Sequence, residues 1–221
     1  MIAIISDVHG NYPALKAVLN KIDQLGCEQI ISLGDVSGYY CMVNECIEEF
    51  RRRKIINILG NHDFYTLGRG DCPRSFTVKK CTEYQRRIIT SENINYLMES
   101  VDYLDTKLFS ARHGGWRDPL DEYIEEFNFS IAKDFKTSLF CSGHTHIQCM
   151  KEKGHIVYFN PGSVGQPRDE DCRAGFAVIN DTGVQLYRVD YDINQIAAAM
   201  ESAGFEQRTY ECLYKGTKIG G

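Results

Sequence analysis

The residues whose types and spacing could share chemistry are Asp7, His9, Asp35, Asn61, His62, His113, His144 and His146, each in a block that also holds a glycine. The chain has 6 histidines, and all but His155 belong to this set. Carboxylate, imidazole and amide oxygen without any cysteine form a donor set suited to Mn, Fe, Zn, Ni or Co. The donors outnumber what one tetrahedral ion takes, which points to two divalent transition-metal ions sharing a bridging carboxylate. On an extended backbone, residues i and i+2 face the same side. Asp7 with His9, and His144 with His146, are therefore expected to converge from extended strand ends, the two latter histidines serving one ion each.

These blocks need elements to deliver them. Ile4-Ile5, Gln29 to Leu33, Ile55 to Leu59 and Ser138 to Cys141 are short apolar runs that read as buried strands, each feeding one of the blocks. Leu15, Val18, Leu19 and Ile22 make a helical stripe that opens at Asn11 or Tyr12 and stops at Gly26; Val43, Cys46, Ile47 and Phe50 make another. The alternation predicts a sheet with parallel strands, whose carboxyl ends gather ligands. Residues 64 to 90 resist assignment, with a loop around Gly68, Gly70 and Pro73. Ser91 is expected to cap a helix through Met98, Val101 to Leu104 and Lys107 to Ala111 to be strands, and 120 to 134 to be helical. Hairpins are expected around Lys153-Gly154 and Asp181-Thr182-Gly183, then a helix capped by Asp192.

At 221 residues and net charge −5, the chain reads as one domain, 1–221, with 215–221 a mobile tail, and lacks the basic surface of a nucleic-acid binder. The run Arg51-Arg52-Arg53-Lys54 closes a helix, where cations complement the dipole. The 9 cysteines are scattered without Cys-x-x-Cys, which indicates neither a disulfide framework nor a thiolate zinc site. With no signal-like or membrane-spanning stretch, a cytoplasmic location is expected, with no membrane partner.

The series Asp7-Val8-His9, Gly34-Asp35, Gly60-Asn61-His62-Asp63, His113-Gly114 and Gly143-His144-Thr145-His146 resembles the calcineurin-like metallophosphoesterase superfamily, in the same order. Leu33 to Tyr39 and Asn160 to Asp169 are similar to blocks of its small bacterial and archaeal predicted phosphodiesterases. The resemblance implies an α/β fold of four layers, an α-β-β-α sandwich of two mixed β-sheets. It implies one ion on Asp7, His9, Asp35 and His146, and a second on Asp35, Asn61, His113 and His144. His62 and Asn61 would be catalytic, His62 binding no metal and acting as acid toward the leaving oxygen. Arg168 and Asn11 would meet the substrate. The implied activity is hydrolysis of a small phosphodiester or phosphomonoester by a hydroxide bridging the two ions, with manganese the ion expected to serve best in vitro. The alternative is a weakly active or inactive protein-binding scaffold of the same fold, as in the retromer subunit. Asp35 is followed by Val36-Ser37-Gly38-Tyr39, where Ser/Thr protein phosphatases of this superfamily carry Asp-Arg-Gly, which argues against protein phosphatase activity and leaves no acidic partner to orient His62.

Overall fold

Alternate side chains of β1 (Ile2–Ile5) enter different cores: Ala3 and Ile5 pack among helical residues, and Ile4 packs toward a second sheet. The computed structural model describes residues 1–73 and 75–220. After β1 come α1 (Tyr12–Leu25), β2 (Gln29–Ser32), α2 (Val43–Arg53), β3 (Ile56–Asn57), α3 (Asn61–Thr66), α4 (Phe76–Ile88) and α5 (Ser91–Met98). The second half carries β4 (Leu104–Asp105), β5 (Ser110–Arg112), β6 (Leu139–Ser142), β7 (Cys149–Lys153), β8 (Ile156–Asn160), β9 (Ala174–Asn180), β10 (Gly183–Val189) and α6 (Ile193–Ser202).

Two mixed sheets result, ordered β10-β9-β1-β2-β3 and β4-β5-β6-β8-β7. Strands β1, β2 and β3 run parallel in one, and β5, β6 and β8 run parallel in the other. The strands that feed the histidine and aspartate blocks are therefore parallel neighbours, β1 and β2 inside their sheet with β3 at its edge, and β5 and β6 inside the other. The sheets meet face to face through Ile4, Ile31, Ala177, Phe109, Cys141 and Phe159. The outer face of the first sheet is covered by α1 and α2 through Leu15, Val18, Ile22, Ile47 and Phe50. At about 1.5 to 3 kcal/mol for each large apolar side chain, this burial dominates what holds the layers together.

Local signals explain the helices. Asn11 caps α1 by accepting from Ala14 N at 3.3 Å, and Gly26 ends it with φ 70°. The basic end of α2 is bound at the surface, Arg53 pairing with Asp23 of α1 at 2.6 Å and Arg52 with Glu49 at 2.7 Å.

Several expectations fail for identifiable reasons. Residues 64 to 90 hold α4, whose buried face is Val78, Cys81, Thr82 and Gln85; two polar residues on that face hide its apolar period. Thr90 rather than Ser91 caps α5, its hydroxyl accepting from Asn93 N. Val101 forms a lone bridge to Ile58, and only Leu104 and Asp105 pair as a strand. Over 120 to 134 there is no α-helix: a turn of 3-10 helix at Phe129–Asp134 follows irregular chain, and the outer face of the second sheet is covered by aromatic packing of Trp116 and Phe127 on Phe140 and Tyr158. The first residues of the segment read as a tail are bonded to the domain. Gly216 is buried and accepts from Glu170 N at 3.0 Å, and Thr217 N donates to Cys212 O; Gly221 lies outside the described residues. The cysteines are free thiols. Among the described residues no helix is long and apolar enough to cross a membrane.

Candidate metal centre

The chain leaves the strands abruptly. Asp7, His9, Asp35, His144 and His146 have φ of 54°, 53°, 57°, 66° and 63°, so the extended geometry expected for Asp7-Val8-His9 and His144-Thr145-His146 is replaced by left-handed residues. Aspartate and histidine tolerate this region better than most residues, yet each such residue costs about 1 to 2 kcal/mol. Strain of this kind, at the ends of several strands, is a mark of a functional site. Bonds between the loops hold it in place: Asp7 N donates to Gly34 O at 3.0 Å, His9 N to Asp35 O at 2.9 Å, and Ser163 Oγ to Asp7 O at 2.7 Å. Asp63 fastens the β2 and β3 loops together, its carboxylate accepting from Asp35 N, Ser37 N and Ser37 Oγ at 2.8 to 3.0 Å.

The side chains converge as two sets. In the first, His9 Nε2 lies 3.1 Å from His146 Nε2, and His146 Nε2 lies 3.3 Å from Asp7 Oδ1. In the second, His113 Nε2 lies 3.1 Å from both Asn61 Oδ1 and His144 Nδ1. Asp35 stands between them, Oδ2 being 3.8 Å from His9 Nε2 and 3.4 Å from His113 Nε2. Its other oxygen, Oδ1, accepts from His62 N at 2.8 Å.

The tautomers follow from the backbone. Nδ1 of His9, His113 and His146 faces the carbonyl oxygens of Ser37, Leu33 and Gln166 at 2.9, 2.8 and 2.6 Å, so each Nδ1 carries the proton it donates. In the neutral ring each Nε2 then presents a lone pair to the interior. Burial, reinforced by nearby Arg168, pushes His146 down to about 3, which keeps that ring neutral. Burial opposes charge on Asp7, but His146 and His9 hold its carboxyl well below the usual range. Burial also disfavours charge on His113, but the carboxylates of Asp35 and Asp7 outweigh it and raise the ring to about 9; a cation arriving there displaces a proton.

These residues fit a divalent ion in each set. Asp7 Oδ1 is a buried carboxylate oxygen without a hydrogen-bond partner, which a cation would satisfy. Two lone pairs 3.1 Å apart repel unless a cation lies beside both, and adjacent donors about 2.1 Å from an octahedral ion stand about 3 Å apart. Asp7, His9 and His146 form one cluster with metal-binding spacing, and Asp35, His113 and His144 another.

His62 is 3% exposed, with its ring 5.0 Å from that of His9 and 4.7 Å from that of Tyr39. Its Nδ1 has no partner, so packing rather than a carboxylate orients it. With His9 and Asp35 it makes a third cluster of ligand spacing, and its geometry does not separate it from the ligands. Burial holds it below its usual value, against the pull of Asp35. Gly38, at φ 138°, gives these rings room: a Cβ there would stand 2.3 Å from His9 Nδ1.

Arg168 reaches this side of the centre, donating to Tyr39 Oη at 2.9 Å and to Gln166 Oε1 at 2.7 Å. Asn11 does not face it. Its amide caps α1 and donates to Gly165 O and Tyr191 Oη, so a fully buried side chain with these bonds has no atom turned to a substrate. Sequence reasoning missed Tyr39 as a partner of Arg168, although it lies in the Leu33 to Tyr39 block. It also missed Asp121, 3.3 Å from His144 Nε2, and Tyr123, whose ring stands 4.1 Å from that of His144; both lie on irregular chain with no motif to mark them.

A fold of two packed mixed sheets with an aspartate and histidine centre at the strand ends is that of the metallophosphoesterases. The chain belongs to the calcineurin-like phosphoesterase superfamily, whose domain matches residues 1–182, and is a metal-dependent phosphoester hydrolase. It is 30% identical to the uncharacterised protein MJ0912 of Methanocaldococcus jannaschii over 88% of this chain and 89% of that one. It is 27% identical to phosphodiesterase YfcE of Escherichia coli K12 over 74% of this chain and 78% of that one. A metallophosphoesterase from Sphaerobacter thermophilus superposes with TM-score 0.84 at 30% identity, covering 97% of this chain and 98% of the other.

Proposed function

We propose that this chain hydrolyses a small phosphodiester or phosphomonoester at a centre of two divalent ions, manganese serving in vitro. The observation that carries the reading is the place of Asp35 Oδ2, within 3.8 Å of a ring nitrogen of each set. One ion is assigned to Asp7, His9, Asp35 and His146, the other to Asp35, Asn61, His113 and His144. When bound, a pair of such ions lowers the pKa of water and neutralises phosphate charge.

The protein's part is to fix the donors, hold the phosphate and move a proton. Arg168, held by Tyr39 and Gln166, offers a guanidinium to a phosphate oxygen. His62, assigned no metal, meets the departing oxygen. A neutral ring donates a hydrogen bond there; the negative phosphate favours the protonated ring, which can pass its proton to a poor leaving group. Asn61 fixes its amide oxygen on the second set while its Nδ2, unpartnered in the protein, is available to a phosphate oxygen.

Purified protein loaded with each of Mn, Fe, Zn, Ni and Co is to be assayed on bis-p-nitrophenyl phosphate and p-nitrophenyl phosphate, with elemental analysis alongside. Hydrolysis with about two ions per chain, and loss of both ions and rate in Asp35→Asn, is expected. Inertness with every ion would favour a protein-binding scaffold, and a stoichiometry of one unchanged in Asp35→Asn would remove the shared bridge.

A further inference from the structure

Beside the centre lies an open groove of about 770 Å³, within the usual range for small-molecule sites. It adjoins the centre on three sides. Thr145 of its wall sits between His144 and His146, Arg168 N donates to His146 O at 3.2 Å, and the Tyr123 ring is 4.1 Å from that of His144. Tyr123, Ile124, Ile147 and Cys149 give it apolar walls, and Tyr123 and Ile147 remain 48% and 47% exposed. Together these side chains make an apolar wall directly beside a polar centre.

The polar lining is as informative. Thr145 Oγ1 accepts from Asn160 Nδ2 at 3.0 Å and from Ile147 N at 3.3 Å, which leaves its own O–H to donate. Arg168, Lys151 and Lys218 outnumber Glu125 and Glu170, so the groove favours an anion. A single phosphate would leave most of it unfilled. An alkyl chain would bring cations and carboxylates against hydrocarbon, and a bare sugar would leave the aromatic and aliphatic walls in water. A flat ring with hydrogen-bonding edges satisfies walls and rim together.

Resting on the phosphoesterase reading above, we infer that this groove seats one ester arm of a phosphodiester, an alcohol bearing a flat heteroaromatic ring of nucleoside size. The phosphate lies between Arg168 and the histidine centre, and the retained arm runs along Thr145 toward Tyr123 and Ile147.

Three diesters with the same p-nitrophenolate leaving group and different retained arms separate the outcomes: methyl, octyl and thymidine-5′-yl p-nitrophenyl phosphate. The manganese-loaded protein is expected to show a kcat/KM at least about tenfold higher for the thymidine ester than for the methyl ester, the scale of burying one ring. In Ile147→Glu and Tyr123→Ala that ratio is expected to fall toward one. Ile147 is half-exposed, so its variant has no core to disrupt. Equal turnover of thymidine and methyl esters, preference for the octyl ester, or a thymidine preference unmoved by both variants would each overturn the inference while leaving the hydrolase reading intact. Failure to cleave any of the three with any ion would instead overturn that reading.

Discussion

At the scale of single residues, the question is what His62 and Tyr39 do beside ligands they touch. If His62 supplies a proton and binds no ion, His62→Ala keeps the metal content of the unaltered chain and loses about 10² to 10⁴ in kcat on esters of weakly acidic alcohols. On p-nitrophenyl esters, whose phenolate departs without protonation, the defect is expected to be small. Equal defects on both would make His62 a phosphate-holding group, and loss of an ion on elemental analysis would return it to the ligand cluster it forms with His9 and Asp35. Tyr39 acts through Arg168. Burial pushes its phenol up to about 12, so its oxygen receives the guanidinium as a neutral acceptor. Tyr39→Phe keeps the ring against His9 and His62 and removes that acceptor. KM is expected to rise up to about tenfold with kcat little changed, consistent with a hydrogen bond to a charged group; a fall in kcat at constant KM would show that Tyr39 serves His62 instead.

At the scale of elements, the centre depends on helices that never reach it. Gln85, fully buried on α4, accepts from Gly38 N at 2.7 Å and donates to Tyr40 O at 2.6 Å, fixing the loop that carries Gly38 and Tyr39 between the rings. Gln85→Leu fills similar space but leaves two buried backbone groups unpaired, each costing about 1 to 3 kcal/mol. Chemical unfolding of the metal-free protein is expected to lose about 2 to 4 kcal/mol, and unchanged stability would mean that the loop finds other partners. The same helix shows where sequence reading stops. Ile4-Ile5 declares its strand as a short β-branched run, and Leu15 to Ile22 its helix because apolar residues repeat with the helical period. On α4 the buried face includes Gln85, kept there by its bonds to Gly38 and Tyr40, and Thr82, whose hydroxyl donates to Val78 O within the helix, and no period survives. The segment 120 to 134 has helical spacing that tertiary packing overrides, its aromatics settling on Phe140 and Tyr158. The aspartate and histidine blocks were legible as a group because residue type and glycine spacing are local. Their left-handed backbone, and the approach of Tyr123 and Asp121 from irregular chain, were not, since both are set by contacts between segments far apart in sequence.

At the scale of the whole molecule, the centre concentrates electrostatic conflict that the rest of the fold must hold. Asp7 and Asp35 are buried as carboxylates, imidazole nitrogens face one another at 3.1 Å in both sets, and left-handed residues support them. The apolar cores between the sheets and beneath α1 and α2 contain none of these groups, so the layers have stabilisation of their own. Removing metal should therefore loosen the chain without unfolding it. An ion at about 1,000 times its dissociation constant stabilises the folded state by about 4 kcal/mol. For a chain of this size that corresponds to a shift in Tm of about 10 °C. Thermal unfolding followed by circular dichroism is expected to show the chelated protein folded at 25 °C, with Tm lower by that amount and recovered on adding manganese. In Asp35→Asn the recovery should be far smaller, because the shared oxygen is weakened for both sets at once. Identical Tm with and without ions that elemental analysis shows to be bound would mean that they bind the unfolded chain equally well, and that the convergence of these histidines was not built to hold them.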